Sequence, residues 1–395
     1  TRRLGMTLAV VLGLALLGWF KYAGFFGEML HALLPVVPVP QVTLPIGISF
    51  FTFQGLSYVI DVYRGDAAVQ RDPLKLALYI AFFPQLVAGP IVRYTTVAEE
   101  IDERHESVSE FSAGAVRFLF GLGKKMLLAN AVARIADAAF AAVMPSVLFA
   151  WLGAVAYTFQ IYFDFSAYSD MAIGLGRMFG FHFLENFNYP YVARSVTEFW
   201  RRWHISLSTW FRDYVYIPLG GNRCSRARNV WNLFVVWFLT GMWHGASWNF
   251  IAWGLWFFVL LVGEKFLWGK ALERLPSLVR HACAMVLVVF SWVLFRAETL
   301  TAAAAYFAAM FGSSGVWCGS RVVYYALEFW PELLCCCIAA LPVKQWLETA
   351  LQKRDAAPAR AVLTWGPKLA AMALLACSYC KLVTGSFNPF IYFRF

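Results

Sequence analysis

The stretch Ala246-Ser247-Trp248-Asn249-Phe250-Ile251-Ala252-Trp253-Gly254-Leu255-Trp256-Phe257-Phe258-Val259-Leu260-Leu261-Val262-Gly263-Glu264-Lys265-Phe266 decides the fold class. It is apolar almost without interruption and shows no period-two alternation. Lipid offers the backbone no hydrogen bonds, so only helices and closed barrels cross it. Barrel strands alternate apolar and polar residues, whereas a continuous apolar run of this length reads as a spanning helix. Each span needs roughly 20 such residues. Comparable runs recur near 6–26, 44–62, 74–93, 111–131, 145–164, 165–183, 230–243, 282–297, 322–342 and 362–384, which makes about eleven in all. The expected fold is all-α: a polytopic transmembrane protein with about eleven spanning helices, plus interfacial or re-entrant helices, forming one membrane domain over 1–395.

Composition agrees. Of the 395 residues, 61% are hydrophobic and 14% charged, against about 25% charged in soluble domains. The formal net charge is +10, which on a soluble protein would suggest nucleic acid. Here the cations sit in short loops: Arg223, Arg226 and Arg228; Lys270, Arg274 and Arg280; Lys344, Lys353, Arg354 and Arg360. That is the pattern of cytoplasmic loops in a membrane protein, so the lipid bilayer is the expected partner and nucleic acid is not. Cys335, Cys336 and Cys337 are consecutive in an apolar run and point about 100° apart on a helix, so they cannot converge on one metal. Cys377 and Cys380 also lie in an apolar run and read as packing residues. No metal is expected. The first apolar run is span-length and lacks a small-residue cleavage site, so no cleavable signal is expected.

Between the runs, Pro35, Pro38, Pro40 and Pro45 mark an extended loop, and 94–110 is an acidic loop or surface helix. Lys124 and Lys125 follow Gly121-Leu122-Gly123 and read as an interface anchor where a span ends or bends.

From 157 to 250 the apolar background is broken by polar residues, which in a membrane face a cavity or a partner. Ser195 and Glu198 have capping-box spacing, so a helix starts there and runs through Phe199-Trp200-Arg201-Arg202-Trp203-His204 until Pro218 and Gly220-Gly221 stop it. On one continuous helix Trp200, His204, Leu207 and Phe211 fall within an arc of about 60°, and Arg201 and Arg212 share a flanking face. His204 is then either aimed into a buried cavity or bonded to a backbone carbonyl in the core. His244 sits in Gly241-Met242-Trp243-His244-Gly245-Ala246, where small residues permit close approach. An imidazole in hydrocarbon needs a partner or a task, and two buried histidines suit acid–base work near neutral pH. Gln160, Asp164, Ser166, Tyr168, Ser169 and Asp170 line either a polar cavity or a helix–helix contact.

These stretches, with Phe83-Pro84-Gln85-Leu86-Val87-Ala88-Gly89-Pro90, Trp200 to Gly221 and Gly241 to Trp248, resemble the membrane-bound O-acyltransferase family, in its bacterial polysaccharide branch. The likeness covers most of the chain and is densest over 75–260. It implies a helical ring around a central tunnel, in the bacterial cytoplasmic membrane. His244 matches the family's signature catalytic histidine and His204 its second essential one. The implied reaction moves acetyl from acetyl-CoA, approaching from the cytoplasm, to an extracytoplasmic polysaccharide such as alginate or peptidoglycan, through an extracytoplasmic acetyltransferase partner protein. His244 would be the general base, and His204 would position a group or hydrogen-bond the carbonyl. Arg201, Arg212 and Arg223, with Arg226 and Arg228, would hold the coenzyme phosphates, although loop topology alone also explains these arginines. Family members usually carry more membrane helices ahead of the segment that starts here.

The ending Phe387-Asn388-Pro389-Phe390-Ile391-Tyr392-Phe393-Arg394-Phe395 resembles the tail of the small partner in the related D-alanyl transfer system. Tyr392 would then be an acyl relay; an aromatic interface anchor is the alternative. Two other readings remain at this point: D-alanyl transfer to teichoic acid, and a transporter or flippase using the histidines as proton relays.

Overall fold

Helix ends fall where the sequence supplies caps. Ser107 Oγ accepts from the Glu110 amide at 3.1 Å, Ser225 Oγ from Arg228 at 3.3 Å, and Asp72 Oδ1 from Leu74 at 2.8 Å. The computed structural model describes residues 1–87, 89–353, 357–385 and 389–390, and among these there is no strand. The principal helices are α1 (Arg2–Leu33), α2 (Ile48–Arg64), α3 (Val108–Gly123), α4 (Asn130–Phe140), α5 (Val147–Met178), α6 (Val196–Arg202), α7 (Ile205–Phe211), α8 (Arg226–His244), α9 (Trp248–Gly263), α10 (Ser277–Arg296) and α11 (Ala357–Thr384).

Among the described residues, five helices are long and apolar enough to cross a bilayer: α1, α5, α10, α11 and the rod Trp248–Glu273 that begins with α9. The pair Ser320–Glu328 and Trp330–Ala339, bent by 64°, makes six if counted as one span. The expected eleven is therefore not confirmed. Two of the regions, 145–164 and 165–183, merge into the 32-residue α5, about 48 Å long. No proline interrupts it, and its carboxylates are neutralised sideways by neighbouring helices. Another expected span, 74–93, is helical only over Pro73–Ala81, because Pro84 and Pro90 interrupt the remainder of that run.

α5 is the buried axis. Gly114 on α3 faces Gly174 on α5 so closely that a Cβ on either would stand 2.5 or 2.6 Å from the other's carbonyl oxygen. Ion pairs tie the same two rods together: Arg117 to Asp170 at 2.8 Å, Lys124 to Asp170 at 2.6 Å and Lys125 to Asp164 at 2.9 Å. So Asp164 and Asp170 are helix–helix partners. Lys125 is no interface anchor either: it is 4% exposed, in a wide π turn (Lys124–Ala129) that joins α3 to α4. Removing one partner of a buried ion pair costs about 3–5 kcal/mol. α1 and α11 turn Leu4, Leu8, Leu12 and Trp19, and Val362, Trp365, Leu369 and Met372, outward, as lipid-facing helices do.

The glycine contact gives a direct test. Gly174→Leu is expected to lower stability by about 1–3 kcal/mol, read as a fall in thermal midpoint in detergent. Gly366→Ala, whose Cβ would meet only Val362 Cγ1 at 3.7 Å, is expected to leave it unchanged; equal midpoints would contradict the packing described.

Candidate active site

His204 is placed by a broken helix, not by the continuous one expected. α6 starts as the capping box predicts, with Ser195 Oγ accepting from Glu198 N at 2.9 Å. Glu264, just beyond α9, adds a second cap: it accepts from the Val196 and Thr197 amides at 2.6 and 2.9 Å and from Thr197 Oγ1 at 2.7 Å. α6 then stops at Arg202. Trp203 is extended, His204 takes the left-handed conformation with φ 44° and ψ 55°, and α7 restarts at Ile205. Few residues without a glycine's freedom adopt that conformation, and they cluster at functional sites.

The segment 186–188 bridges the break. Asn188 N donates to Arg202 O and Ile205 N to Asn186 O, both at 2.9 Å. Asn186 Oδ1 accepts from the Ser206 amide at 3.2 Å and from Ser206 Oγ at 2.9 Å, and Asn186 Nδ2 donates to Ser169 Oγ at 3.1 Å. A backbone N–H can only donate, so this network assigns the amide: the atom facing Ser206 and His204 is the oxygen. His204 Nδ1 lies 3.1 Å from it. Nδ1 therefore carries the hydrogen, and Nε2 presents a lone pair. Nε2 is buried and has no hydrogen-bond partner among the described residues, and His204 as a whole is 0% exposed. Of the two readings open from sequence, the core histidine on a backbone carbonyl gives way to a histidine held by a side chain with its other nitrogen unsatisfied.

His244 ends α8 and is 8% exposed. Its position follows from a tight helical hairpin. Gly241 lies against the Phe250 carbonyl and Gly254 against that of Trp237, where any Cβ would clash, so α8 and α9 cross at backbone contact. The last carbonyls of α8 are satisfied by α1: Lys21 Nζ donates to Trp243 O, and to Ser49 Oγ at 3.1 Å, while Tyr22 OH donates to Met242 O. Asn249 Nδ2 ties the start of α9 to Ala297 O.

The two imidazoles meet on one indole. The Trp243 ring centroid is 5.9 Å from that of His204 and 5.0 Å from that of His244. Phe165 closes on His204 at 4.7 Å; Trp253 and Phe295 close on His244 at 4.9 and 5.3 Å. Both histidines thus face the protein interior.

The other expected site residues are spread out. Arg212 pairs with Asp213 at 2.6 Å, Arg93 pairs with the same carboxylate at 2.7 Å, and Arg64 donates to Asp213 O at 3.2 Å. Burial alone would raise the Asp213 carboxyl; hydrogen bonds from Arg212 and Arg93 outweigh it and hold the group below its usual value. Arg223 is exposed in the turn beyond Gly221. Arg228 donates to Leu219 O at 3.3 Å, Arg226 covers the Phe266 ring at 4.9 Å, and Lys265 donates to Asn222. Arg223, Arg226, Arg228 and Lys265 thus lie near the 219–222 turn along the chain or in contact with it, apart from the Arg212–Asp213–Arg93 cluster. Arg201 is exposed on α6, and the break at His204 removes the register that put it on one face with Arg212. Tyr392 lies outside the described residues. Among the described residues no three His, Cys, Asp or Glu side chains stand together as metal ligands would.

The family model described as MBOAT, the membrane-bound O-acyltransferase family, matches residues 67–301, a span that contains Asn186, His204, Trp243 and His244. The chain belongs to this family. As a membrane-bound O-acyltransferase it is an enzyme with several membrane-crossing helices, and the transporter reading falls away. Its curated relatives include the probable alginate O-acetylase AlgI of Azotobacter vinelandii, 42% identical over 99% of this chain and 84% of that protein. The peptidoglycan O-acetyltransferase of Helicobacter pylori is 34% identical over 80% and 66%. The teichoic acid D-alanyltransferase of Bacillus subtilis is 29% identical over 63% and 67%.

Sequence reasoning gave Asn186, Trp243, Lys21 and Glu264 no role. A lysine inside an apolar run was a signal for Lys21; the others become visible only through the helix break and the hairpin. In this O-acyltransferase, Asn186→Ala is expected to lower acyl transfer by roughly tenfold or more, and Asn186→Asp, which still accepts from Nδ1, to retain more activity than the alanine variant. Equal activity in the two variants would contradict the assigned hydrogen bond.

Proposed function

We propose that this enzyme takes an acetyl group from acetyl-CoA at the cytoplasmic face of the bacterial cytoplasmic membrane and delivers it for O-acetylation of an extracytoplasmic polysaccharide, such as alginate or peptidoglycan. The alginate and peptidoglycan O-acetylating relatives support the acyl group and the acceptor class. Loops rich in arginine and lysine favour the cytoplasmic side, which supports the 212–228 end lying there and donor entry from it. Arg201, Arg212 and Arg223, with Arg226 and Arg228, are the candidates for the coenzyme phosphates, since the guanidinium fork matches phosphate oxygens.

The observation that carries the chemistry is the lone pair on His204 Nε2, buried beside a second imidazole. It supports a division of roles other than the one drawn from sequence. A histidine whose Nδ1–H is held by Asn186 cannot donate from Nε2 to a carbonyl; it accepts. His204 is then the general base: it takes the proton of the attacking hydroxyl as the oxygen bonds to the thioester carbon. His244, on the other side of the shared indole, donates to the carbonyl oxygen as charge develops there. The C–S bond breaks, the proton on His204 passes to the leaving thiolate, and an acetyl ester and free coenzyme A result. Because His204 is fully buried, one of the rings packed on it, such as Phe165 or Trp243, must move for substrate to arrive. In this reading the hydroxyl of Tyr392 is the first acceptor, forming an acetyl-tyrosine that passes the group to an extracytoplasmic acetyltransferase partner.

The test uses purified protein and labelled acetyl-CoA. His204→Ala is expected to lower acetyl transfer by about 10²–10⁴-fold. His244→Gln, which keeps an N–H donor but no base, is expected to retain more activity than His244→Ala. Near-normal transfer by His204→Ala, or equal loss in both His244 variants, would overturn the assignment. Tyr392→Phe removes the relay hydroxyl, so unchanged transfer rules out the relay. Consumption of a D-alanyl carrier-protein thioester in place of acetyl-CoA would redirect the enzyme to D-alanyl transfer.

A further inference from the structure

The residues Pro389 and Phe390, beyond the end of α11, are not loose on the surface. Lys125 Nζ donates to Pro389 O at 3.0 Å and lies 4.7 Å from the centroid of the Phe390 ring. The same nitrogen donates to Asp164 Oδ2 at 2.9 Å. Tyr168, one turn along α5 from Asp164, meets Phe390 edge to face at 5.2 Å. An ammonium group has three donors and no acceptor. Here a carboxylate, a peptide carbonyl and a ring face lie around it.

The seat is built by the helices around it. The π turn at Lys124–Ala129 lets consecutive lysines reach two carboxylates on α5: Lys124 goes to Asp170 and Lys125 to Asp164. Gly123, at the end of α3, leaves room for α11: a Cβ there would stand 3.0 Å from Leu374 Cδ2. Asp164 and Phe165 are consecutive on α5, and Phe165 is the ring that closes on His204 at 4.7 Å. One residue of α5 therefore faces the seat of Pro389-Phe390, and the next faces the candidate base.

We infer that Lys125 and Asp164, with Tyr168, form a docking site for the Pro389-Phe390 segment of the chain's own tail, and that Lys125 is a positioning residue for acyl transfer. The site recognises a proline–aromatic peptide by one carbonyl and one ring face. Its functional part rests on the proposed relay through Tyr392, two residues further along. Docking does the work of orientation: it anchors Pro389-Phe390 at the flank of α5 and so restricts the geometries open to a hydroxyl carried further along the tail.

The experiment uses the full chain with p-azidophenylalanine in place of Phe390, irradiated in detergent, and maps crosslinks by mass spectrometry. Crosslinks are expected to 120–130 and 164–171, to persist in Lys125→Arg and to fall at least roughly fivefold in Lys125→Met, because the arginine keeps the charge and donors whose geometry aligns the segment. Transfer to acceptor is expected to drop roughly tenfold in Lys125→Met, while the dissociation constant for acetyl-CoA stays within about twofold, because positioning and not donor binding is lost. Should Lys125→Met fail to fold, Tyr168→Ala removes the ring contact without touching the ion pair and is expected to weaken the same crosslinks. Absence of these crosslinks in the parent protein, or their persistence in both Lys125→Met and Tyr168→Ala, overturns the docking site. If the crosslinks depend on Lys125 but Tyr392→Phe transfers acetyl normally, the relay fails and the docking site stands.

Discussion

Asn186 Oδ1 is where the architecture of the centre converges. It accepts from Ser206 twice, faces His204 Nδ1, and sits on a residue whose own carbonyl caps the restarted helix at Ile205. Without that bridge, Arg202 O and the Ile205 and Ser206 amides on either side of the break would lose their partners, at a penalty of several kcal/mol for each group left unpaired away from water. With it, the left-handed turn at His204 is stable enough to push one imidazole inward. The orientation of a single amide thus determines the tautomer of the histidine and the chemistry open to it.

The surroundings follow from the same shortage of water. Carboxylates on α5 are matched by Arg117, Lys124 and Lys125 from the neighbouring rod, and the carbonyls that end α8 are matched by Lys21 and Tyr22 from α1. Around the rest of the two imidazoles rings fill the space: Trp243, Trp253, Phe165 and Phe295 enclose the histidines. An edge-to-face pair adds about 0.5–1.5 kcal/mol beyond burial, so this cage is both the wall of the site and part of the core. Glu264 links the two halves, since it lies just past the helix that returns from His244 and caps the helix that leads to His204.

Much of this was legible in the chain itself. Apolar runs identified the all-α membrane class but not the number of spans, and the Trp-Arg-Arg-Trp-His and Trp-His-Gly stretches pointed to the family. Capping chemistry fixed the start of α6 at Ser195. What could not be read was long-range. The merging of 145–183 into α5 depends on cations some 40 to 50 residues earlier in the chain. The break at His204 depends on Asn186, and a spacing argument on one helix cannot anticipate a backbone that leaves helical geometry. Lys125 looked like an interface anchor because its partner Asp164 and the returning Pro389-Phe390 are remote in sequence.

The central claim is that His204 and His244 act on one acyl group across Trp243. Structure determination by electron cryomicroscopy with a non-transferable acetyl-CoA analogue bound tests it most directly. We expect the acyl carbonyl within reach of both imidazoles, and the pantetheine chain running toward the Arg212–Arg228 end. An analogue bound with its acyl group away from both histidines, or reaching them from the opposite end, would contradict it.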